Sequence, residues 1–330
     1  MPNQIVFLCS KTNEHIGLWN DLKSDDRVLL RCVKPRHAGS VLSFVIRLLL
    51  KINKRALKNS LFLMWYGCSD LFKLVKSADH LVVVDGVLDC IEPWDLERCR
   101  KKNPHIKISL YLLNSVNASS PIMERIRKKI FLFPWNRVYT FDKDDAKKYG
   151  FVYAGFMYYS KQELPWVEPS CDIHFVGGLK GNREPLINST YSFLKDNGFK
   201  CDFNLMFMTQ NEQKQVLEGA TYYRGWRPYD FVLKKMNESR CILEICQEGQ
   251  SGASLRYFEA VCYNKKLLTN NKMIVDFPYY NPNYMRCFQR IDDIDVEWLR
   301  NEKNVDYGYR GDFSPKKFID FLLGAKNEKV

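Results

Sequence analysis

The sequence predicts an α/β protein made of two doubly wound halves, and three observations predict it. Short apolar runs alternate with segments able to form helices, which is the βαβ pattern of a parallel sheet. The alternation stops at Tyr158–Pro169, where Pro165, Trp166 and Pro169 interrupt both helical and strand periods, and then starts again. The charge balance changes at the same place: residues 1–150 carry 26 basic against 15 acidic side chains, a net of +11, and residues 151–330 carry 24 against 23. A chain of 330 residues suits two compact domains. The expected boundaries are 1–157, a linker over 158–170, and 171–330.

In the first half, buried strands are expected at Ile5–Cys9, Val28–Val33, Leu61–Trp65, Leu81–Val84 and Ile106–Leu113, because near-continuous apolar runs suit strands covered on both faces. In the second half, Cys171–Val176 reads as a strand and Glu184–Asn197 as a helix ended by Gly198. Cys201–Met206 follows as a strand, then a helix around Asn211–Leu217, the segment Tyr229–Met236, and a strand at Cys241–Ile245. A helix over Ser254–Tyr263 and a strand over Lys266–Thr269 precede a long polar tail. Ser314 followed by Pro315 has the signature of a capped helix start, opening a last helix to about Gly324 that is a candidate to cross back to the first half.

Composition narrows the function classes. With 46% hydrophobic and 27% charged residues the chain is an ordinary globule. No apolar run reaches the ~18–20 residues that cross a bilayer, so the expected location is cytoplasmic, free or peripheral on the cytoplasmic face of the inner membrane. Eleven cysteines, an odd number without any CxxC pair, and five scattered histidines read as reduced thiols and give no zinc spacing. Asp142, Asp144 and Asp145 lie in an Asp/Lys run that suits a helix start better than a metal pair. Metal ligands are therefore expected to be absent. Between Lys34 and Lys58 there are seven basic and no acidic residues. On a helix, Arg47, Lys51, Lys54, Arg55 and Lys58 share one side opposite Val41, Phe44, Val45, Leu48 and Ile52. Such a helix either packs on the sheet or lies on an anionic membrane, and both roles are compatible.

The chemistry concentrates in Leu243–Ala260. A strand runs into a polar turn with Gly249, Ser251 and Gly252, which opens a helix carrying Arg256 and Glu259. Unpaired amides at a helix start, the helix dipole and a guanidinium together suit a diphosphate. Glu259, two turns further on, either accepts hydrogen bonds from ribose hydroxyls or pairs with Arg256 at i, i+3.

The stretch QSGASLRYFEAVCYNKKLLTNN resembles the nucleotide-sugar segment of GT-B glycosyltransferases that build bacterial lipopolysaccharide, O-antigen or capsule. IHFVGGLKGNREPL is similar to the strand and Gly-rich loop that open the second domain of such enzymes, and VYTFDKDDAKKYGF to the segment before their linker. The resemblance implies two Rossmann-like domains facing each other across a cleft, and transfer of a sugar from a nucleoside-diphosphate sugar to a glycan or lipid-linked acceptor. It implies that Gly177, Gly178, Lys180 and Arg183 face the donor phosphates, that Ser251, Gly252, Ser254 and Arg256 complete the cradle, and that Glu259 holds the ribose. No cofactor beyond the donor is required, because helix amides and Arg can stabilise a departing diphosphate without a metal. Retaining members carry a second Glu where this chain has Ser251, so inversion is slightly favoured and a base in the first half is needed. Asp85, His15 and Glu92 follow predicted strands and are the candidates, Asp85 first. There is no GxGxxG after the first strand and no Gly-Lys-Ser/Thr after Gly177. Two other readings stand beside this one: a basic nucleic-acid-binding protein, for which no reading motif is found so that no nucleic-acid partner is expected, and a catalytically silent GT-B-like scaffold.

Overall fold

The computed structural model describes residues 4–10, 17–33, 70–117, 121–155, 157–179, 183–207, 216–225, 227–246 and 251–324. The chain divides into two units near residue 154, and the short segment Phe141–Asp144 groups with the second.

The first unit is a six-stranded sheet of β1 Ile5–Ser10, β2 Val28–Val33, β3 His80–Val84, β4 Lys107–Tyr111, β5 Arg137–Thr140 and β6 Val152–Tyr153. All its pairings are parallel, in the order β2-β1-β3-β4-β5-β6. The described helices are α1 Leu71–Leu74, α2 Pro93–Lys102, α3 Pro121–Leu132 and α4 Lys143–Tyr149. β1 and β3 are buried along their whole length. Val6, Leu8, Leu81, Val83, Ile108 and Leu110 pack there with Leu96 and Cys99 of α2 and Ile126 and Ile130 of α3. The expected strand Leu61–Trp65 lies outside the described residues.

The second unit is also six parallel strands: β7 Cys171–Gly178, β8 Cys201–Phe207, β9 Thr221–Arg224, β10 Ser239–Glu244, β11 Lys266–Thr269 and β12 Met285–Cys287, ordered β12-β11-β10-β7-β8-β9. Its described helices are α5 Arg183–Asp196, α6 Tyr229–Asn237, α7 Leu255–Cys262, α8 Val296–Arg300 and α9 Pro315–Leu322. The segment Tyr229–Met236 is thus helical, and the polar tail contains a strand, β12. The helix expected around Asn211–Leu217 falls almost wholly outside the described residues. Growth of the sheet reverses between β7 and β10, neighbours in space with β8 and β9 between them in sequence. In doubly wound folds that reversal opens a crevice at the carboxyl ends of the two strands.

One face of this sheet is apolar: Ile173, Phe175, Phe203, Leu205, Cys241, Leu243 and Leu268 pack with Ile187, Tyr191 and Leu194 of α5. The alternate positions of the same strands carry His174, Asn204, Glu244 and Thr269, all buried, on the face that α6 and α7 cover. Neither ring nitrogen of His174 has a hydrogen-bond partner among the described residues, and Nδ1 stands 3.8 Å from Asp202, itself paired with Lys235 at 3.1 Å. Burial, with Arg256 and Lys235 nearby, holds the His174 imidazole below its ordinary pKa and neutral. The unfolded chain therefore takes up more protons than the folded one as pH falls below about 6.5, and stability is lost in that direction. His174→Leu is expected to flatten this part of the profile, so urea midpoints measured across mildly acidic pH should fall less steeply in the variant than in the parent.

Candidate functional site

Arg183, the first residue of α5, sits at the reversal point. Its Nη2 donates to Gly178 O at 2.5 Å and its Nη1 to Ile245 O at 3.0 Å. One guanidinium thereby ties the carboxyl end of β7 to that of β10. Its Nε is buried with no acceptor, and no acidic side chain among the described residues pairs with it. Burial lowers its pKa. A buried cation without a counter-charge is expensive, and an anion reaching this strand end relieves the cost. Gly177 beside it is required by packing: a Cβ there would lie 2.7 Å from Phe175 Cζ.

The adjacent turn leads into α7. Ser254 caps the helix, its Oγ accepting from Arg256 N at 3.1 Å and donating to Glu244 Oε1. Thr269 Oγ1 donates to the other oxygen of Glu244, whose pKa burial raises. Arg256 Nη1 pairs with Glu259 Oε2, and Tyr229 OH donates to Glu259 Oε1 at 2.9 Å. Glu259 is fully buried. Both its oxygens are engaged, and the i, i+3 pairing with Arg256 lies in the interior.

The amides of Ser251 and Gly252 are also satisfied internally. Both donate to Asp142 Oδ2, at 3.3 and 3.2 Å, while Ser251 Oγ donates to Oδ1 at 3.1 Å. Asp142 Oδ1 further accepts from Asp144 N at 2.9 Å, at the start of α4. A carboxylate of the chain thus occupies the amides that the sequence assigns to the donor phosphate. The Phe141 ring lies so close to Gly252 that any side chain at 252 would overlap it.

The candidate bases are placed as follows. Asp85 is fully buried, and burial raises its pKa. Its carboxylate accepts from Gly86 N at 2.6 Å and from Leu113 N, Asn114 N and Asn114 Nδ2 at 3.0 Å. It therefore ties the loop after β3 to the loop after β4. Glu92 stands at the start of α2, its N donating to Asp95 Oδ2 at 3.3 Å and its carboxylate pairing with Lys129 at 3.1 Å. His15, Lys180 and the basic series Arg47, Lys51, Lys54, Arg55 and Lys58 lie outside the described residues. Asp142, Glu244 and Thr269, which hold the turn and the start of α7, were not singled out by motif reading. Only Asp142 left a signal, as a helix-start aspartate.

No protein-family model matches the chain, and no curated protein matches it by sequence. Solved structures do match. An α-glucosyltransferase in complex with UDP and a mismatched 13-mer DNA superimposes with a TM-score of 0.53 at 12% identity, covering 98% of this chain and 100% of the other. The fold is GT-B. The DNA-modifying enzyme β-glucosyltransferase matches over 74% of this chain and 79% of its own, with 14% identity and a TM-score of 0.41. UGT2 of Phytolacca americana, complexed with UDP-2-fluoro-glucose and pterostilbene, matches over 98% and 94% with 10% identity and a TM-score of 0.41.

The described GT-B residues include no group of three or more His, Cys, Asp or Glu side chains placed to hold a metal ion, and no described helix is long and apolar enough to cross a membrane. A groove of about 730 Å³ lies at the opposite, amino-terminal edge of the second sheet, lined by Asn197, Arg240, Lys265, Lys266, Arg300 and neighbours. Its cations have structural work. Lys265 Nζ donates to Asn237 O and Ser239 O, Lys266 Nζ to Trp298 O and Asn301 O, and Arg300 Nη2 to Asn197 O. They satisfy carbonyls at helix ends and strand starts, as basic side chains commonly do.

Proposed function

We propose that this chain is a glycosyltransferase using a nucleoside-diphosphate sugar, with the diphosphate held at the carboxyl ends of β7 and β10. The observation that carries the reading is Arg183: a largely buried guanidinium with no acidic partner among the described residues, at the reversal point of a GT-B sheet. Gly177, Gly178 and Lys180 of the same loop, with Arg256, are the further donor contacts. Ser251 and Gly252 join them once the diphosphate takes the place of the Asp142 carboxylate. Ser254 holds the start of α7 through Glu244, and Glu259 serves the donor by positioning Arg256. Arg183, Arg256 and backbone amides supply the positive charge that a leaving diphosphate requires, which favours metal-independent transfer. Ser251 in place of a second Glu favours inversion.

The acceptor proposed is a glycan or lipid-linked glycan of the bacterial surface. A nucleic-acid acceptor is a second reading, favoured by the +11 charge of residues 1–150 and by the DNA in the α-glucosyltransferase complex that shares the fold. The direct test is a thermal-shift screen with UDP-, GDP-, CMP- and dTDP-sugars, since a ligand of the native state raises its melting temperature. The donor so found is then offered lipid-linked oligosaccharide and duplex DNA. Product on the first supports the proposed acceptor, product on DNA replaces it, and no shift with any nucleotide refutes the donor assignment.

A further inference from the structure

The first unit exposes an aromatic and aliphatic knob where α3 and α4 end. Phe131 and Leu132, the last residues of α3, are 53% and 70% exposed. The Phe131 ring stands 5.3 Å from that of Tyr149, the last residue of α4, and 6.2 Å from that of Phe151; Tyr149 and Phe151 stack at 5.4 Å. Tyr153 of the edge strand β6 is 36% exposed. Single exposed apolar residues are ordinary, but two consecutive ones at a helix end, with Phe131 set against the half-buried rings of Tyr149 and Phe151, are not.

Charge surrounds this set with one sign. Lys128 precedes Phe131 and Leu132 by three and four positions, so the three share one helical face. Lys147 and Lys148 are exposed in the last turn of α4, with Lys148 Nζ 5.0 Å over the Tyr149 ring. The exposed acids of the two helices, Glu124 and Asp144, stand in their first turns, away from the knob. Lysines in a last helical turn also suit the helix dipole. That effect accounts for the lysines and leaves Phe131 and Leu132 unexplained.

We propose that this knob docks the protein on an anionic lipid surface, with Phe131 and Leu132 entering the acyl boundary and Lys128, Lys147 and Lys148 meeting the headgroups. The aliphatic Leu132, the most exposed of the set, decides for lipid over nucleic acid, because a base stack gains nothing from it. The inference does not rest on sugar transfer, and it concerns residues distinct from the basic series Arg47–Lys58.

The experiment is co-sedimentation of the full chain with vesicles of phosphatidylcholine alone and of phosphatidylcholine mixed with phosphatidylglycerol. Binding is expected only to the mixed vesicles. Phe131→Ser with Leu132→Ser is expected to weaken it about tenfold or more while the melting temperature falls by no more than a few degrees, since Leu132 mostly faces water and Phe131 is half exposed. Lys147→Glu with Lys148→Glu is expected to weaken it similarly and to lessen its salt dependence. Wild-type partitioning by the folded apolar variant overturns the proposal. So does a wild-type chain that ignores anionic vesicles, whether or not it is retained by single-stranded oligonucleotides or self-associates through Phe131.

Discussion

Arg183→Leu is expected to weaken binding of a free nucleoside diphosphate by about 10- to 100-fold, the cost of one or two lost charge-assisted hydrogen bonds. The folded apo-protein should barely notice. The substitution frees two carbonyl acceptors, Gly178 O and Ile245 O, but it also removes a largely buried charge and a buried Nε that have no acidic partner and no acceptor among the described residues. These effects oppose one another, so the melting temperature without ligand is expected to stay within a few degrees of the parent. Arg183→Lys should fall between the two, because lysine keeps the charge and loses the planar fork that reaches both strand ends. Titration calorimetry with the nucleotide picked out by the thermal-shift screen measures all three. Parental affinity in the leucine variant places the diphosphate elsewhere.

Much of this arrangement was legible in the sequence, for a physical reason. β1 and β3 are buried along their length, so their residues are apolar nearly without interruption and announce themselves, whereas β7 and β10 show shorter apolar stretches that include the buried polar His174 and Glu244. β6 and β12 have two and three residues, too few to carry any period, and they were invisible. The strand, polar turn and helix start that carry Arg256 were legible because they are local features. Asp142 was not. It meets Ser251 and Gly252 across 109 and 110 positions of chain, a contact that follows from folding of the second unit and leaves no local pattern. Glu259 lies between these cases. Its pairing with Arg256 was one of two options visible from spacing, while its burial, which Tyr229 thirty positions earlier accompanies, was not.

That burial makes Glu259→Ala the substitution with the largest expected cost in stability. Glu259 is fully enclosed and Arg256 is 16% exposed. Removing one partner of a buried ion pair strands the other charge and typically costs about 3–5 kcal/mol. The damage extends beyond the pair. Tyr229 OH, which donates to Glu259, is 3.0 Å from Tyr159 OH; that hydroxyl is 3.3 Å from Tyr263 OH, which meets Gln162 N and O at 2.9 and 3.1 Å. Burial holds the pKa of Tyr159 and of Tyr229 well above the ordinary tyrosine value, so both remain neutral donors near the carboxylate. Without Glu259 this line of hydroxyls loses its terminal acceptor. Glu259→Gln retains an acceptor for Tyr229 and loses the charge, so it should sit between parent and alanine. Replacing Arg256 and Glu259 together by methionine should recover most of the loss, because two apolar side chains leave no stranded charge. Urea denaturation of the four proteins closes the comparison. A loss below about 1 kcal/mol in Glu259→Ala would mean that the carboxylate is not held as the geometry has it. A loss of nucleotide affinity in the methionine pair, with stability restored, would assign the remaining effect to Arg256 at the donor.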